Sequence, residues 1–224
     1  MGDIIINAKK LTKTYIRGTE KINAVDNIDF TVRQGDFTAV MGPSGSGKTT
    51  LLDTLGCLDT ITSGQLTVSG TDVSQMSENR LVRVRRENFG FIFQQFLLVP
   101  SLTVLENIAL PLYFLGRSAD NRLTGEMLEK VGLTGRKNHL PRELSGGECQ
   151  RAAIARALIT SPKVLFADEP TGNLDTQKSQ EMFSMFDRLN KQDGLTILVA
   201  THNPELGRQA KNIINIRDGR IIEN

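Results

Sequence analysis

The chain has 224 residues, of which 39% are hydrophobic and 23% charged, the proportions of one folded domain with a sizeable core. Twenty-seven basic residues stand against 25 acidic ones, a net charge of +2 that argues against nucleic acid as the main ligand. No apolar run reaches 18 residues, which excludes a membrane span, and Met1-Gly2-Asp3-Ile4 has neither the basic start of a secretory leader nor a myristoylation pattern. Two separated cysteines, Cys57 and Cys149, form no C-x-x-C pair and fit a reduced, cytosolic chain, with Cys57 read as a small core residue.

Taken in order, Ile4 to Leu11 reads as a first strand, with Tyr15 beyond its end, where an aromatic is ordinarily core or rim. Residues 17–21 form a polar turn, and Ala24 to Val32 alternates apolar and polar like a half-buried strand. These N-terminal strands are expected to be antiparallel and separate from a parallel core. Asp36 to Met41 is a short buried strand, and it runs into Gly42-Pro43-Ser44-Gly45-Ser46-Gly47-Lys48-Thr49, the G-x-x-x-x-G-K-[ST] pattern of a P-loop. A helix follows from Lys48 through Thr50 to Leu55. Strand, glycine-rich loop and helix together are what the motif requires: the glycines aim backbone N–H groups at a polyphosphate, and the helix adds its positive end. Lys48 is expected on the β- and γ-phosphates and the Thr49 hydroxyl on Mg²⁺.

Further on, Thr62-Ser63-Gly64 is a turn, Gln65 to Val68 a strand, and Ser77 to Arg86 a helix whose Arg80, Arg83 and Arg86 make a solvated charged face. Phe89 to Phe93 is a buried strand ending at Gln94-Gln95. Residues 94–159 then contain no strand: Thr103 and Glu106 form a capping box before a helix from Val104 to Leu115 that Pro111 interrupts, Leu123 to Val131 is a second helix, and a third runs from Leu144-Ser145-Gly146-Gly147-Glu148 to Leu158. Val164 to Ala167 is a buried strand ending in Asp168-Glu169-Pro170. Lys178 to Leu189 is a helix, Thr196 to Ala200 a buried strand ending in Thr201-His202-Asn203, and Asn212–Ile216 with Arg220–Ile222 a hairpin.

Several strand ends carry chemistry. In parallel α/β sheets ligands lie there. Asp168 is suited to Mg²⁺, and Glu169 to accepting a proton from attacking water, although alone the pair reads equally as a solvated acidic turn. His202 arrives at the same edge, within reach of a γ-phosphate. The neutral Gln94 amide can ligate Mg²⁺ or orient water. Ser145 and Glu148 have the S-x-x-E spacing of a capping box, while Gly146 and Gly147 at a helix start also make a second anion site. Two anion sites with one P-loop suggest a nucleotide shared between two copies.

These motifs together resemble the ATP-binding cassette family, over essentially the whole chain. Gly42 to Thr49 resembles Walker A, Leu144 to Glu148 the LSGG(Q/E) signature, and Val164 to Glu169 Walker B with its glutamate; Gln94, Asp175 and His202 match the Q-, D- and H-loops, and Tyr15 the aromatic that stacks on adenine. The resemblance implies one cassette domain over residues 1–224, α/β in class: a P-loop NTPase core with a mainly parallel sheet and an N-terminal antiparallel β part (1–93 and 160–224), and a helical subdomain (94–159). It implies ATP and Mg²⁺ as cofactors. The nucleotide would be held by Tyr15, Gly42, Ser44 to Thr50, Asp175 and the Ser145-Gly146-Gly147 loop of the opposite copy, the metal by Thr49, Gln94 and Asp168, with Glu169, His202 and Gln94 catalytic. The implied partners are a second copy, a separate permease and, through the permease, an adaptor protein, at the cytoplasmic face of the membrane. Gly56-Cys57-Leu58-Asp59, Phe91 to Phe96 and Asp168 to Asp175 are similar to the macrolide-exporting and lipoprotein-releasing group. Cys149 departs from the glutamine common there, Asn203 from aspartate and Thr49 from serine. A regulatory cell-division-type cassette is the alternative; a translation or repair ATPase lacks support, because no second cassette or long coiled-coil insert is present.

Overall fold

The computed structural model describes residues 2–118 and 120–222; Met1, with which the leader expectation begins, lies outside them. Strands β1 (Ile4–Arg17) and β2 (Glu20–Arg33) pair antiparallel, and β4 (Ser63–Val68) and β5 (Thr71–Asp72) complete a four-stranded sheet in the order β2-β1-β4-β5. The second sheet has six strands in the order β10-β9-β3-β8-β7-β6, comprising β3 (Phe37–Met41), β6 (Phe89–Ile92), β7 (Val164–Asp168), β8 (Thr196–Thr201), β9 (Asn212–Arg217) and β10 (Arg220–Ile222). All its neighbours are parallel except the terminal β9–β10 hairpin.

The central strands read as continuous apolar runs because both faces are covered. Val40, Val164, Phe166, Leu198 and Ala200 join a core shared with the antiparallel sheet, helix α1 (Lys48–Leu55) and helix α2 (Glu78–Asn88). Their neighbours Phe37, Ala39, Leu165, Ala167, Ile197 and Val199 face the other way, into a core with α3 (Val104–Phe114), α4 (Asn121–Lys130), α5 (Gly146–Leu158) and α6 (Thr176–Asp193). The helices that follow β3 and β7 therefore lie on opposite faces of the sheet. A crevice opens between them at the carboxyl ends of the strands, where such folds bind ligands.

Several boundaries differ from expectation. The first strand runs on to Arg17 and the second begins at Glu20, so the polar turn shrinks to Gly18-Thr19. Register shifts along the ladder break the alternation that would have revealed this length. Pro111 lies inside α3 without ending it: it falls in the last turn, three residues before Phe114, where one lost backbone bond is tolerable. β6 stops at Ile92 and leaves Phe93 outside, and α6 extends past both predicted ends, with Asp175 capping it. Asp120 caps α4 two residues earlier than read, and the short α7 (Pro204–Gly207) was unforeseen.

Candidate active site

A cleft of about 610 Å³ lies at the carboxyl ends of β3, β7 and β8, lined by Ala24, Pro43, Ser44, Gly45, Gly47 to Thr50, Gln94, Asp168, Glu169 and His202. Its floor is the 42–49 loop. Gly45 and Gly47 hold left-handed backbone, with φ 77° and 103°. A side chain at Gly47 would run into the carbonyl of Ala24, and one at Gly42 into the Ile216 carbonyl and the Ser46 hydroxyl. The loop is also braced from below. Gly219, in the β9–β10 turn, donates its N–H to the Ser46 carbonyl at 3.0 Å and accepts from the Asp26 N–H at 2.8 Å, and Arg220 pairs with Asp26 at 2.6 Å.

Lys48 leads α1 into the cleft. Its buried ammonium donates to the Gly42 and Pro43 carbonyls at 2.8 and 3.0 Å and lies 3.7 Å from Glu169. The Thr49 hydroxyl donates to Asp168 at 2.9 Å, so the two residues read as metal ligands meet. Burial lifts the Asp168 carboxyl above its ordinary range; the Thr49 hydrogen bond opposes this and the Glu169 charge adds to it. Among the described residues the Ser46 hydroxyl, within the loop, is buried with no hydrogen-bond partner, an orphaned donor in a loop built for an anion.

Glu169 takes a left-handed backbone, φ 42°, uncommon for a side chain of this kind, and its N–H bonds the Ala200 carbonyl of β8 at 3.0 Å. One carboxylate oxygen accepts from His202 Nδ1 at 2.9 Å, which leaves the other ring nitrogen and most of a 67%-exposed side chain toward the opening. Asn203, the departure next to it, does not touch the histidine: its side chain caps α7, accepting from Glu205 and Leu206. Gln94 reaches the cleft from the loop after β6, held by Asn173, whose amide donates to the Gln94 carbonyl at 2.9 Å.

Not all expected residues meet here. Ser145, Gly146 and Gly147 do not line the cleft of their own chain. Ser145 and Glu148 form a full capping box, with Ser145 N–H to Glu148 at 2.8 Å and Glu148 N–H to the Ser145 hydroxyl at 3.3 Å. Asp175 also stands apart, accepting from the Lys178 N–H at 2.9 Å and ammonium at 2.7 Å. Tyr15 sits beside the cleft, 41% exposed, its hydroxyl donating to Asp59 at 2.8 Å. Burial and the Asp59 carboxylate raise the pKa of that hydroxyl.

Sequence reasoning missed Asp53 and the role of Asp59. Asp53 is one helical turn beyond Thr49 on α1; burial, then the charges of Asp168 and Asp59, push its carboxyl up to about 6. The i, i+4 spacing from Thr49 was a signal for it. Asp59 is fixed by a turn with no such period.

Comparison with known proteins agrees with this geometry. The family described as "ABC transporter" matches residues 25–172. An uncharacterized ABC transporter ATP-binding protein of Methanocaldococcus jannaschii, MJ1508, is 47% identical over 98% of this chain and 98% of its own length. The macrolide export ATP-binding/permease protein MacB of Bdellovibrio bacteriovorus is 45% identical over 97% of this chain, which spans only 33% of that longer protein. A solved dimeric structure of the ATP-binding cassette MJ0796, in a post-hydrolysis state bound to ADP and Pi, superposes with a TM-score of 0.90 at 39% identity, covering 98% of this chain and 97% of that one. The chain belongs to the ABC transporter family, as one of its ATPase cassettes.

Proposed function

We propose that the chain hydrolyses ATP to drive a separate membrane permease in export or extrusion, with two copies closing head to tail around two nucleotides. The observation that carries the catalytic part is the cluster of Lys48, Glu169 and His202 beside Thr49 and Asp168 in one cleft. The loop amides and Lys48 hold the β- and γ-phosphates. Tyr15 offers its ring to adenine, and Gly42, Ser44 to Gly47 and Thr50 complete the cradle. Glu169 takes the proton of the attacking water, and His202, whose ring lies at the opening of the cleft, steadies the γ-phosphate. The hydroxyl, carboxylate and amide oxygens of Thr49, Asp168 and Gln94 are hard donors that suit Mg²⁺, which when bound would neutralise phosphate charge.

The Ser145-Gly146-Gly147 loop lies outside its own chain's cleft, which supports its use by a second copy, with Asp175 at the shared boundary. We read 94–159 as a helical subdomain that transmits the motion. Beside Phe93 a groove lined by Leu58, Arg86, Phe91, Pro111, Phe114 and Arg156 suits a permease segment. Relatives of matching length such as MJ1508, at 98% of its own length, support a cassette whose permease is another chain. We place the chain peripherally, at the cytoplasmic face of the membrane that its permease spans; among the described residues no helix is long and apolar enough to cross a membrane. An adaptor protein working through the permease belongs to the same reading.

Glu169→Gln tests it. The amide keeps the shape but accepts no proton, so turnover should fall on the order of 100-fold or more while ATP still binds and now holds a stable dimer. Turnover at the natural rate would remove Glu169 as the base. The trapped dimer, used to capture partners from detergent-solubilised membranes, should bring down a permease; a division-type membrane protein would point to the regulatory reading instead.

A further inference from the structure

Lys13 and Tyr15 are two residues apart on β1 and so project from the same side of the strand. Opposite them stands Asp59, in the turn that ends the phosphate-loop helix. That turn is tightly built: Cys57 has φ 57°, and the Leu58 and Asp59 N–H groups both bond the Asp53 carbonyl, at 2.8 and 3.2 Å. Asp59 Oδ1 accepts from the Lys13 ammonium at 2.6 Å and from the Thr60 N–H at 2.7 Å; Oδ2 accepts from the Tyr15 hydroxyl at 2.8 Å. Lys13 itself is buried, donates also to the Thr60 carbonyl at 2.7 Å, and sits 5.1 Å from the centre of the Tyr15 ring.

We propose that Asp59 is a positioning residue for the nucleobase: through the Tyr15 hydroxyl it sets the ring in the one orientation in which adenine stacks on it. The inference rests on the reading of Tyr15 as the adenine platform. A half-exposed tyrosine near a hairpin tip has several rotamers open to it, and a base that stacks on it must first order the ring. The carboxylate orders it beforehand. Because Asp59 hangs from the far end of α1, the platform and the phosphate loop are referenced to the two ends of one helix. Their separation is then fixed before nucleotide arrives. Burial pushes the Asp59 carboxyl up, but the hydrogen bonds from Lys13, Tyr15 and Thr60 outweigh it and keep the group charged below its ordinary range.

The test measures, by calorimetry on the full chain with Mg²⁺, the affinity for ATP and for inorganic tripolyphosphate, which has phosphates and no base. Tyr15→Phe keeps the ring and the Lys13–Asp59 pair and removes only the hydroxyl; Asp59→Ala removes the anchor. Each should weaken ATP about three- to tenfold, the cost of ordering one side chain on binding, and leave tripolyphosphate unchanged. The double variant should bind ATP no more weakly than the more weakly binding single, since both delete the Tyr15–Asp59 hydrogen bond. Equal weakening of tripolyphosphate by Asp59→Ala would make Asp59 a support of the phosphate loop and overturn the proposal. Tyr15→Ala separates the premise from the inference: if it weakens ATP while Tyr15→Phe and Asp59→Ala do not, the platform stands and the anchor falls. If Tyr15→Ala changes nothing, the platform falls and takes the anchor with it.

Discussion

Gly47 has the larger positive φ of the two left-handed glycines in the phosphate loop, and Gly45 makes a useful contrast. Both carry positive φ, but a methyl group at Gly45 meets open space, whereas at Gly47 it meets the Ala24 carbonyl. Gly45→Ala should therefore cost only the backbone strain, about 1 to 2 kcal/mol. Gly47→Ala should cost that and also push the loop off β2, lowering the melting temperature further and raising the Kd for ATP more than tenfold; equal effects of the two would show that the steric clash does not matter. Thermal denaturation and a nucleotide titration read both. At this scale the sequence was informative wherever chemistry is written in spacing. Lys48 and Thr49 follow from the glycine pattern, and Asp168, Glu169 and His202 from apolar runs that end in polar residues. Asp59 and Ala24 were not legible, because they reach the site through the register of β1 with β2 and through a turn, and neither leaves a period in the chain.

Among the elements, α5 shows how one sequence signal can have two meanings. The S-x-x-E spacing predicted a capping box, and Ser145 and Glu148 form one. Glu148 is held at about 2, below its usual 4.5, first by the Ser145 N–H, then by Arg136 and the Ser145 hydroxyl. A carboxyl depressed on folding stabilises above its unfolded pKa and ceases to as pH falls toward the folded one. Glu148→Gln should thus lower stability by about 1 kcal/mol near neutral pH, a difference that closes as pH drops from 4.5 to about 2. A pH series of melting curves checks this, and a constant difference would mean the lost packing, not the charge, is responsible. Helix and strand types were readable from period throughout, yet lengths were not. β1 carries bulges that scramble its alternation, and α3 absorbs Pro111 because tertiary packing of Ile108 and Leu112 outweighs one missing bond.

For the molecule as a whole, the signature loop lies apart from its own cleft, and on the proposed head-to-tail pairing a single copy is incomplete. If the active form is a pair, ATP turnover per chain should rise with chain concentration before reaching a plateau; a specific activity flat over a wide dilution series would assign catalysis to a single copy. The brace beneath the phosphate loop has a different consequence, one of timing. β3 pairs with β8 and β9, and the loop that leaves it rests on the Gly219 N–H and the Ile216 carbonyl, all contributed by residues 196–222. During synthesis the loop at 42–49 emerges with only β2 beside it, and the residues that brace it from below follow some 170 residues later. The capacity to hold nucleotide is therefore expected late in synthesis, once the β9–β10 hairpin has closed beneath the glycine loop.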